Sequence, residues 1–408
     1  MTWIFLKNRT NEMALPEINP LAAARQKASA VKFVVLIGVV SLFADMTYEG
    51  ARSITGPYLA VLGASGTVVG VVAGFGELIG YGLRLVSGYV SDRTGRYWTV
   101  TLIGYVINLL AVPLPALAGN WPMAALLMIA ERAGKAIRNP PRDAMLSHAT
   151  QTMGRGWVFG LHEALDQVGA VIGPLIVTAV LYVNGSYRTG FAVLLVPALL
   201  ALSVLVAARF LYPQPRDLET ILPAVEAKGY PRRFWLYIAA ASLIGAGYVD
   251  FPLIAYHFEK ASVLSADMIP IFYAVAMGVD ALAALALGRL FDRKGLWVLI
   301  YSSAVAAFFA PLVFSMGSYP ALAGMALWGL GMGAQESIMR AVIAEMIPAN
   351  RRASAYGIFN AAFGLFWFLG SLLMGILYDL SVPAVIVCSV ALQLASVPVL
   401  LWMRKTPS

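Results

Sequence analysis

Long apolar runs decide what this chain can become. Residues 98–118 and 382–403 are uncharged and predominantly apolar, and each exceeds the ~18 residues that mark a helix able to cross a bilayer. Comparable runs recur along the whole length. A chain exposing this much apolar surface to water would aggregate, so its natural solvent is a membrane. Composition agrees: 60% of the 408 residues are hydrophobic and 12% charged, against roughly 25% charged in ordinary soluble domains.

At roughly 20 residues per crossing, the predicted spans are 32–59, 66–90, 97–118, 121–139, 157–183 and 190–212, then 233–257, 267–291, 297–317, 321–346, 355–379 and 382–403. Residues 1–31 are mixed in polarity, contain Pro16 and Pro20, and lack the apolar core and cleavage site of a signal peptide. They are read as a cytoplasmic tail. The longest polar interruption, 213–232, is rich in charge and proline and is the predicted cytoplasmic linker. The expected organisation is therefore a bundle at 32–212, the linker, a second bundle at 233–403, and a cytoplasmic end at 404–408.

Loop charge sets the orientation. Lys7, Arg9, Arg25 and Lys27 lie in the tail, Arg93 and Arg96 after the second span, and Arg209, Arg216, Lys228, Arg232 and Arg233 around the linker. Arg293 and Lys294 follow the eighth span, Arg351 and Arg352 the tenth, and Arg404 and Lys405 the last. The alternate loops contribute Arg188 and Lys260. Basic loops stay inside, so both termini are expected in the cytoplasm of a multi-pass inner-membrane protein. The net charge of +8 is then a topology signal, and no nucleic-acid partner is expected. The single cysteine, Cys388, lies in an apolar run, so no intrachain disulfide can form.

The two halves repeat. Gly88-Tyr-Val-Ser-Asp-Arg-Thr-Gly95 ends the second span and Gly288-Arg-Leu-Phe-Asp-Arg-Lys-Gly295 ends the eighth, 200 residues later. Independently, Arg155, Gly160 and Gly173 match Arg352, Gly357 and Gly370, each 197 residues on. Transporters built from parallel repeats bind substrate near the midplane between them.

The loop Gly88-x-x-x-Asp92-Arg93-x-Gly95-Arg96, with its echo through Asp292 and Arg293, resembles the signature of the major facilitator superfamily. The resemblance covers the whole chain. It implies an all-α membrane protein of twelve transmembrane helices in two pseudo-symmetric six-helix bundles. It also implies that the loop acts as a cytoplasmic latch favouring the outward-open state, with Asp92 at the N-terminus of span eleven. A purely topological role for these charges is the alternative. Gly169-Ala-Val-Ile-Gly173-Pro174 in span five is similar to an element of drug–proton antiporters, although Leu175-Ile176-Val177 departs from it. Close helix packing and a proline kink explain those residues equally well. Arg132 resembles the span-four arginine of the same antiporters, with Ala136 where glycine is expected.

Ionisable residues inside spans cost about 2.5–3.5 kcal/mol each on insertion scales and usually face a cavity or each other. Span one carries Asp45, Glu49 and Arg52 on one helical face. Span four carries Glu131, Lys135 and Arg138 on one face, with Arg132 about 100° away, before a break expected at Pro140-Pro141. Span five has His162 and Asp166 one turn apart. The second half offers Asp250, Asp280, Gln335, Glu336 and Arg340. The expected substrate and proton cavity comprises Asp45, Glu49, Glu131, Arg132, Lys135, His162, Asp166, Asp250, Gln335 and Glu336. A low-dielectric cavity disfavours a carboxylate's charged form and an adjacent arginine restores it, which ties proton loss to substrate movement. Static ion pairs such as Asp45–Arg132 are the alternative.

These readings converge on secondary transport of a small-molecule substrate by a monomer among membrane lipids, coupled to protons, with export favoured. A facilitator or symporter of a small organic anion, and a sensor that binds without moving its ligand, remain open. No enzyme and no cofactor are expected: Gly134-Lys135-Ala136 is not a phosphate-binding loop, and His-Glu-x-x-His and Cys-x-x-Cys are absent.

Overall fold

The computed structural model describes residues 20–153, 155–213, 229–348 and 352–406, which form helices and short connections with no strand among them. Residues 1–19 of the expected tail and 214–228 of the expected linker lie outside the described residues. The helices are α1 (Pro20–Val61), α2 (Gly66–Thr94), α3 (Tyr97–Ala111), α4 (Trp121–Met153), α5 (Arg155–Asn184), α6 (Tyr187–Val193) and α7 (Leu195–Leu211). They continue as α8 (Arg232–Gly247), α9 (Phe251–Lys260), α10 (Met268–Lys294), α11 (Trp297–Ala306), α12 (Phe309–Val313), α13 (Ser318–Met346), α14 (Arg352–Leu380) and α15 (Val382–Lys405). Every predicted span falls on a helix or a broken pair of helices, consistent with twelve crossings. Among the described residues, nine such segments are long and apolar enough to cross a membrane; α4 and α13 have the length but carry cavity charges.

Three expectations are corrected. α1 starts at Pro20, twelve residues before the predicted span. α4 does not break at Pro140-Pro141 but continues to Met153. A proline leaves the carbonyl four residues back without its helical donor, and here Ser87 Oγ of α2 donates to Ala136 O at 3.2 Å. A neighbouring helix thus supplies the bond that Pro140 cannot. Span seven, read as continuous, is interrupted between α8 and α9. Gly247 O accepts from Ser389 Oγ at 2.7 Å, and Val249 O accepts from Trp328 Nε1 at 3.0 Å. Asp250 caps α9 by accepting from the Phe251 N–H at 2.9 Å. Side chains of neighbouring spans therefore satisfy the broken backbone.

The internal repeat is visible in the packing. Gly173 lies against the backbone of Met46 and Gly50 on α1, and Gly370, its counterpart, lies against the backbone of Ala246 on α8. Gly95 and Gly295 both end their helices with positive φ, +67° and +58°, a turn that glycine adopts without strain. Replacing Gly370 with leucine is expected to drive a side chain into the Ala246 backbone and cost about 1–3 kcal/mol or more. Gly357→Ala, with open space around it, should be neutral or slightly stabilising. Thermal unfolding of the detergent-solubilised protein distinguishes the two; equal melting temperatures would contradict this packing.

The halves meet at one end. Gly56 abuts the Pro252 backbone, and Gly70 and Gly74 abut Ser371 and Phe368. Tyr256 OH donates to Ala64 O at 2.9 Å, and Tyr187 OH donates to Glu259. The Asp379 carboxylate accepts from Gly66 N at 2.8 Å, Thr67 N at 2.7 Å and Thr67 Oγ1 at 2.6 Å. This closed end lies opposite the one carrying the two signature loops. There Asp92, Arg93 and Arg96 are exposed. Asp92 accepts from Tyr97 OH at 2.8 Å, Arg93 donates to Tyr89 OH at 2.9 Å, and Gly88 faces Pro140 of its own half.

Candidate substrate cavity

A cavity of about 310 Å³ lies between the halves, lined by α1, α2, α4, α5, α10, α13 and α14. That volume is at the small end of the ~300–1,000 Å³ usual for ligand sites. Asp45, Tyr48, Glu49 and Arg52 reach it from α1 at spacings of three, one and three, as one helical face requires. Arg132, Lys135, Arg138, Asn139 and Arg142 reach it from α4, and Glu163, Asp166 and Gln167 from α5. The second half supplies Asp280, Gln335, Glu336 and Arg340, with Met277, Met332, Met339, Phe363 and Trp367.

Seven of the ten expected cavity residues line it: Asp45, Glu49, Arg132, Lys135, Asp166, Gln335 and Glu336. The other three sit behind the wall. Glu131 borders a smaller adjoining pocket and accepts from Asn108 Nδ2 at 2.9 Å. His162 is buried, with Nδ1 3.2 Å from Asp166 Oδ2 and Nε2 3.1 Å from Ser41 Oγ. Asp250 is buried beneath Arg52. On α4, Lys135 and Arg138 enter the cavity as their shared face requires, Arg132 enters beside them, and Glu131, expected on that face, turns aside to the adjoining pocket.

Toward the closed end the charges are paired. Arg52 Nη2 lies 2.9 Å from Asp250 Oδ1, across the two halves, and 4.0 Å from Glu77 Oε1. Arg132 lies 3.0 Å from Glu77 and 3.4 Å from Glu131, so the alternative Asp45–Arg132 pair is not formed. Tyr273 OH of α10 donates to Glu49 Oε2, a second link across the halves. Buried charges are tolerated where each meets an opposite charge with good geometry. Glu77 of α2 is the hub of this network.

Deeper in the cavity several charges have no such partner. Lys135 Nζ sits 3.6 Å above the Tyr48 ring, and Arg138 lies 4.3 Å from the Tyr105 ring centre. Arg138 is 1% exposed, yet its Nε and Nη1 meet no acceptor among the described residues. Asp280, 2% exposed, has an unpartnered Oδ1. Asp45 and Glu336 form no ion pair among the described residues. Arg138 and Asp280 were legible only as charges in spans; the lining methionines and aromatics carried no signal, being apolar residues in apolar runs.

Comparison with known proteins decides the family. Residues 37–334 match the sequence profile of the Major Facilitator Superfamily. The chain belongs to that superfamily. It is 42% identical over 394 residues to the uncharacterized protein Rv2265 of Mycobacterium tuberculosis, covering 95% of this chain and 96% of that one. Over a shorter stretch of 119 residues it is 32% identical to the multidrug resistance protein MdtH of Proteus mirabilis, 29% of this chain and 30% of that protein. The crystal structure of the nucleoside transporter NupG superposes with a TM-score of 0.72 at 14% identity, covering 92% of this chain and all of that one. That likeness establishes the shared fold. The protein is thus a multi-pass membrane transporter of the facilitator type, and not an enzyme.

Proposed function

We propose that this protein exports a small polar solute across the inner membrane by alternating access, driven by exchange for protons. The observation that carries this reading is the cavity itself: it lies between the two repeats, is closed at one end, and holds carboxylates without an ion-pair partner among the described residues, the buried Asp45 and Asp280 and the solvent-facing Glu336. Such acids are the groups available to carry the coupling proton. The charged lining suits a polar solute better than a lipophilic one.

Sidedness follows from the basic loops, which put both termini, the linker at 213–232 and the open mouth of the cavity in the cytoplasm. The bundles at 32–212 and 233–403 are then the two bodies that rock about the solute, and the exposed loop of Gly88, Asp92, Arg93, Gly95 and Arg96 is the cytoplasmic latch in its released position. Export is supported by the kinship with MdtH and by the Gly169-x-x-x-Gly173-Pro174 element. In this structure, however, both glycines also serve close packing of α5 on α1.

The test is flux in proteoliposomes with a trapped pH dye and an imposed pH gradient, over a panel of small polar solutes. Transported members of the panel should move protons the opposite way, and Asp45→Asn or Glu336→Gln should lose most gradient-driven flux, at least tenfold, with solute exchange kept in Asp45→Asn. A saturable flux that ignores the gradient, unchanged in both variants, sinks proton coupling.

A further inference from the structure

With the paired groups set aside, the cavity has two charged poles. Arg52 and Arg132 are committed to Asp250, Glu77 and Glu131; Arg142 Nη2 is 2.8 Å from Asp143; Asp166 is turned to His162. On the α1–α4 side this leaves two cations, Lys135 and Arg138, beside the carboxylates of Asp45 and Glu49, of which Glu49 already accepts from Tyr273 OH. On the α10–α13 side it leaves Asp280 and Glu336, which with Glu163 of α5 form three neighbouring carboxylates facing Arg340 and, at Glu336, Lys135 across the cavity. Gly333 packs on the backbone of Asp280 and Ala284, which brings the Glu336 turn of α13 beside Asp280. Each pole also holds a side chain more than nine-tenths buried with an unsatisfied polar atom, Arg138 Nε and Nη1 at one and Asp280 Oδ1 at the other. A buried donor or acceptor left unpaired is destabilising, so each pole favours a ligand that supplies the missing charge.

We propose that the solute is a small zwitterion, its anionic group held by Arg138 and Lys135 of the first half and its ammonium group by Asp280 and Glu336 of the second. This deepens the transporter reading and rests on it. A solute held at both ends draws the two repeats together, whereas a singly charged one engages one of them. The ammonium group and a proton compete for Asp280 and Glu336, as exchange requires. The groups facing that pair are Glu163 of α5, Glu49 of α1, Lys135 of α4, Arg340 of α13 and Tyr248 between α8 and α9. Protonating the acids removes the attraction for ammonium, so zwitterion binding weakens as pH falls.

The experiment uses purified full-length protein in detergent and three matched series of two to six carbons: ω-amino acids, simple monocarboxylates and simple monoamines. A ligand that binds the folded protein raises its melting temperature by mass action. The best-fitting ω-amino acid should stabilise at a concentration at least tenfold lower than the acid or amine of equal length, because each of those leaves one pole uncompensated. Asp280→Asn and Glu336→Gln should narrow the gap between amino acid and monocarboxylate, and Arg138→Gln the gap between amino acid and monoamine. Equal stabilisation by a singly charged analogue, or none by any member of the series, overturns the proposal; wild-type protein alone decides this if a variant does not fold. Gradient-driven flux without zwitterion preference leaves proton exchange standing and removes the subsite. Zwitterion preference with flux indifferent to the gradient does the reverse.

Discussion

Replacing Arg52 with alanine is expected to abolish transport and to lower stability by about 3–5 kcal/mol, the range for breaking a buried ion pair from one side. The expected size comes from what the substitution strands. Arg52 is the nearest cation to Asp250, which is 3% exposed, and it also faces Glu77. Its loss leaves Asp250 buried without its paired cation and leaves Arg132 as the cation in direct contact with Glu77. The pair also joins α1 to the interrupted span seven, so the closed end loses a link between the halves. Asp250 has a second task as the cap of α9, and the two tasks separate chemically. An asparagine in place of Asp250 keeps a capping oxygen without a charge, so Arg52→Ala combined with Asp250→Asn should recover about 1 kcal/mol or more over Arg52→Ala alone. Asp250→Ala should recover less, because it also removes the cap, worth about 0.5–2 kcal/mol. Thermal unfolding of the wild type, the two single variants and the double variant measures the coupling; additive effects within about 0.5 kcal/mol would show that the pair is not the link assigned here.

The fold was legible because its signals are local or repeated. Apolar run length marked most of the long helices, and the two glycine-bounded loops at Gly88–Gly95 and Gly288–Gly295 marked the duplication. Breaks within spans were not legible, because they depend on partners far away in sequence. Pro140 reads as a helix breaker until Ser87 is seen donating to Ala136 O. The α8–α9 interruption reads as helix until Ser389 and Trp328 are seen capturing its carbonyls. The cavity was legible in part for a related reason. A charge in an apolar run must face something, and Asp45, Lys135 and Glu336 do stand at the cavity wall. What it faces depends on helix rotation, and a rotation of one residue exchanges Glu131 for Arg132. Asp250 and His162 show the other limit: burial beside a cavity and exposure within it leave the same mark on a sequence.

Truncating Asp379 to alanine is expected to release the closed end and shift the protein toward the outward-open state. This carboxylate at the end of α14 accepts three hydrogen bonds, from the Gly66 and Thr67 amides and the Thr67 hydroxyl, at the first turn of α2. The free N–H groups and positive dipole end of a helix favour an anion there. The two helices belong to different halves, so the bonds exist only while the closed end stays shut. An interaction made in one state alone shifts the equilibrium by its own free energy. Asp379 is exposed and water screens it, which limits the worth of the clasp to about 1 kcal/mol, or roughly a fivefold change in the ratio of states. Thr55 lines the adjoining pocket inside the closed end. A cysteine there, in a Cys388→Ser background, should react about fivefold faster with a membrane-impermeant maleimide added outside cells once Asp379 is alanine. Asp379→Asn should give a smaller rise, since it keeps an acceptor and loses the charge, and Thr67→Val a rise of similar modest size, since it removes one of the three donors. Unchanged labelling in all three would mean that the outer end is held by the packing of Gly56, Gly70 and Gly74 alone. Graded labelling in the order alanine, then asparagine and valine, would assign the difference to the clasp, because the helix–helix packing is common to every variant.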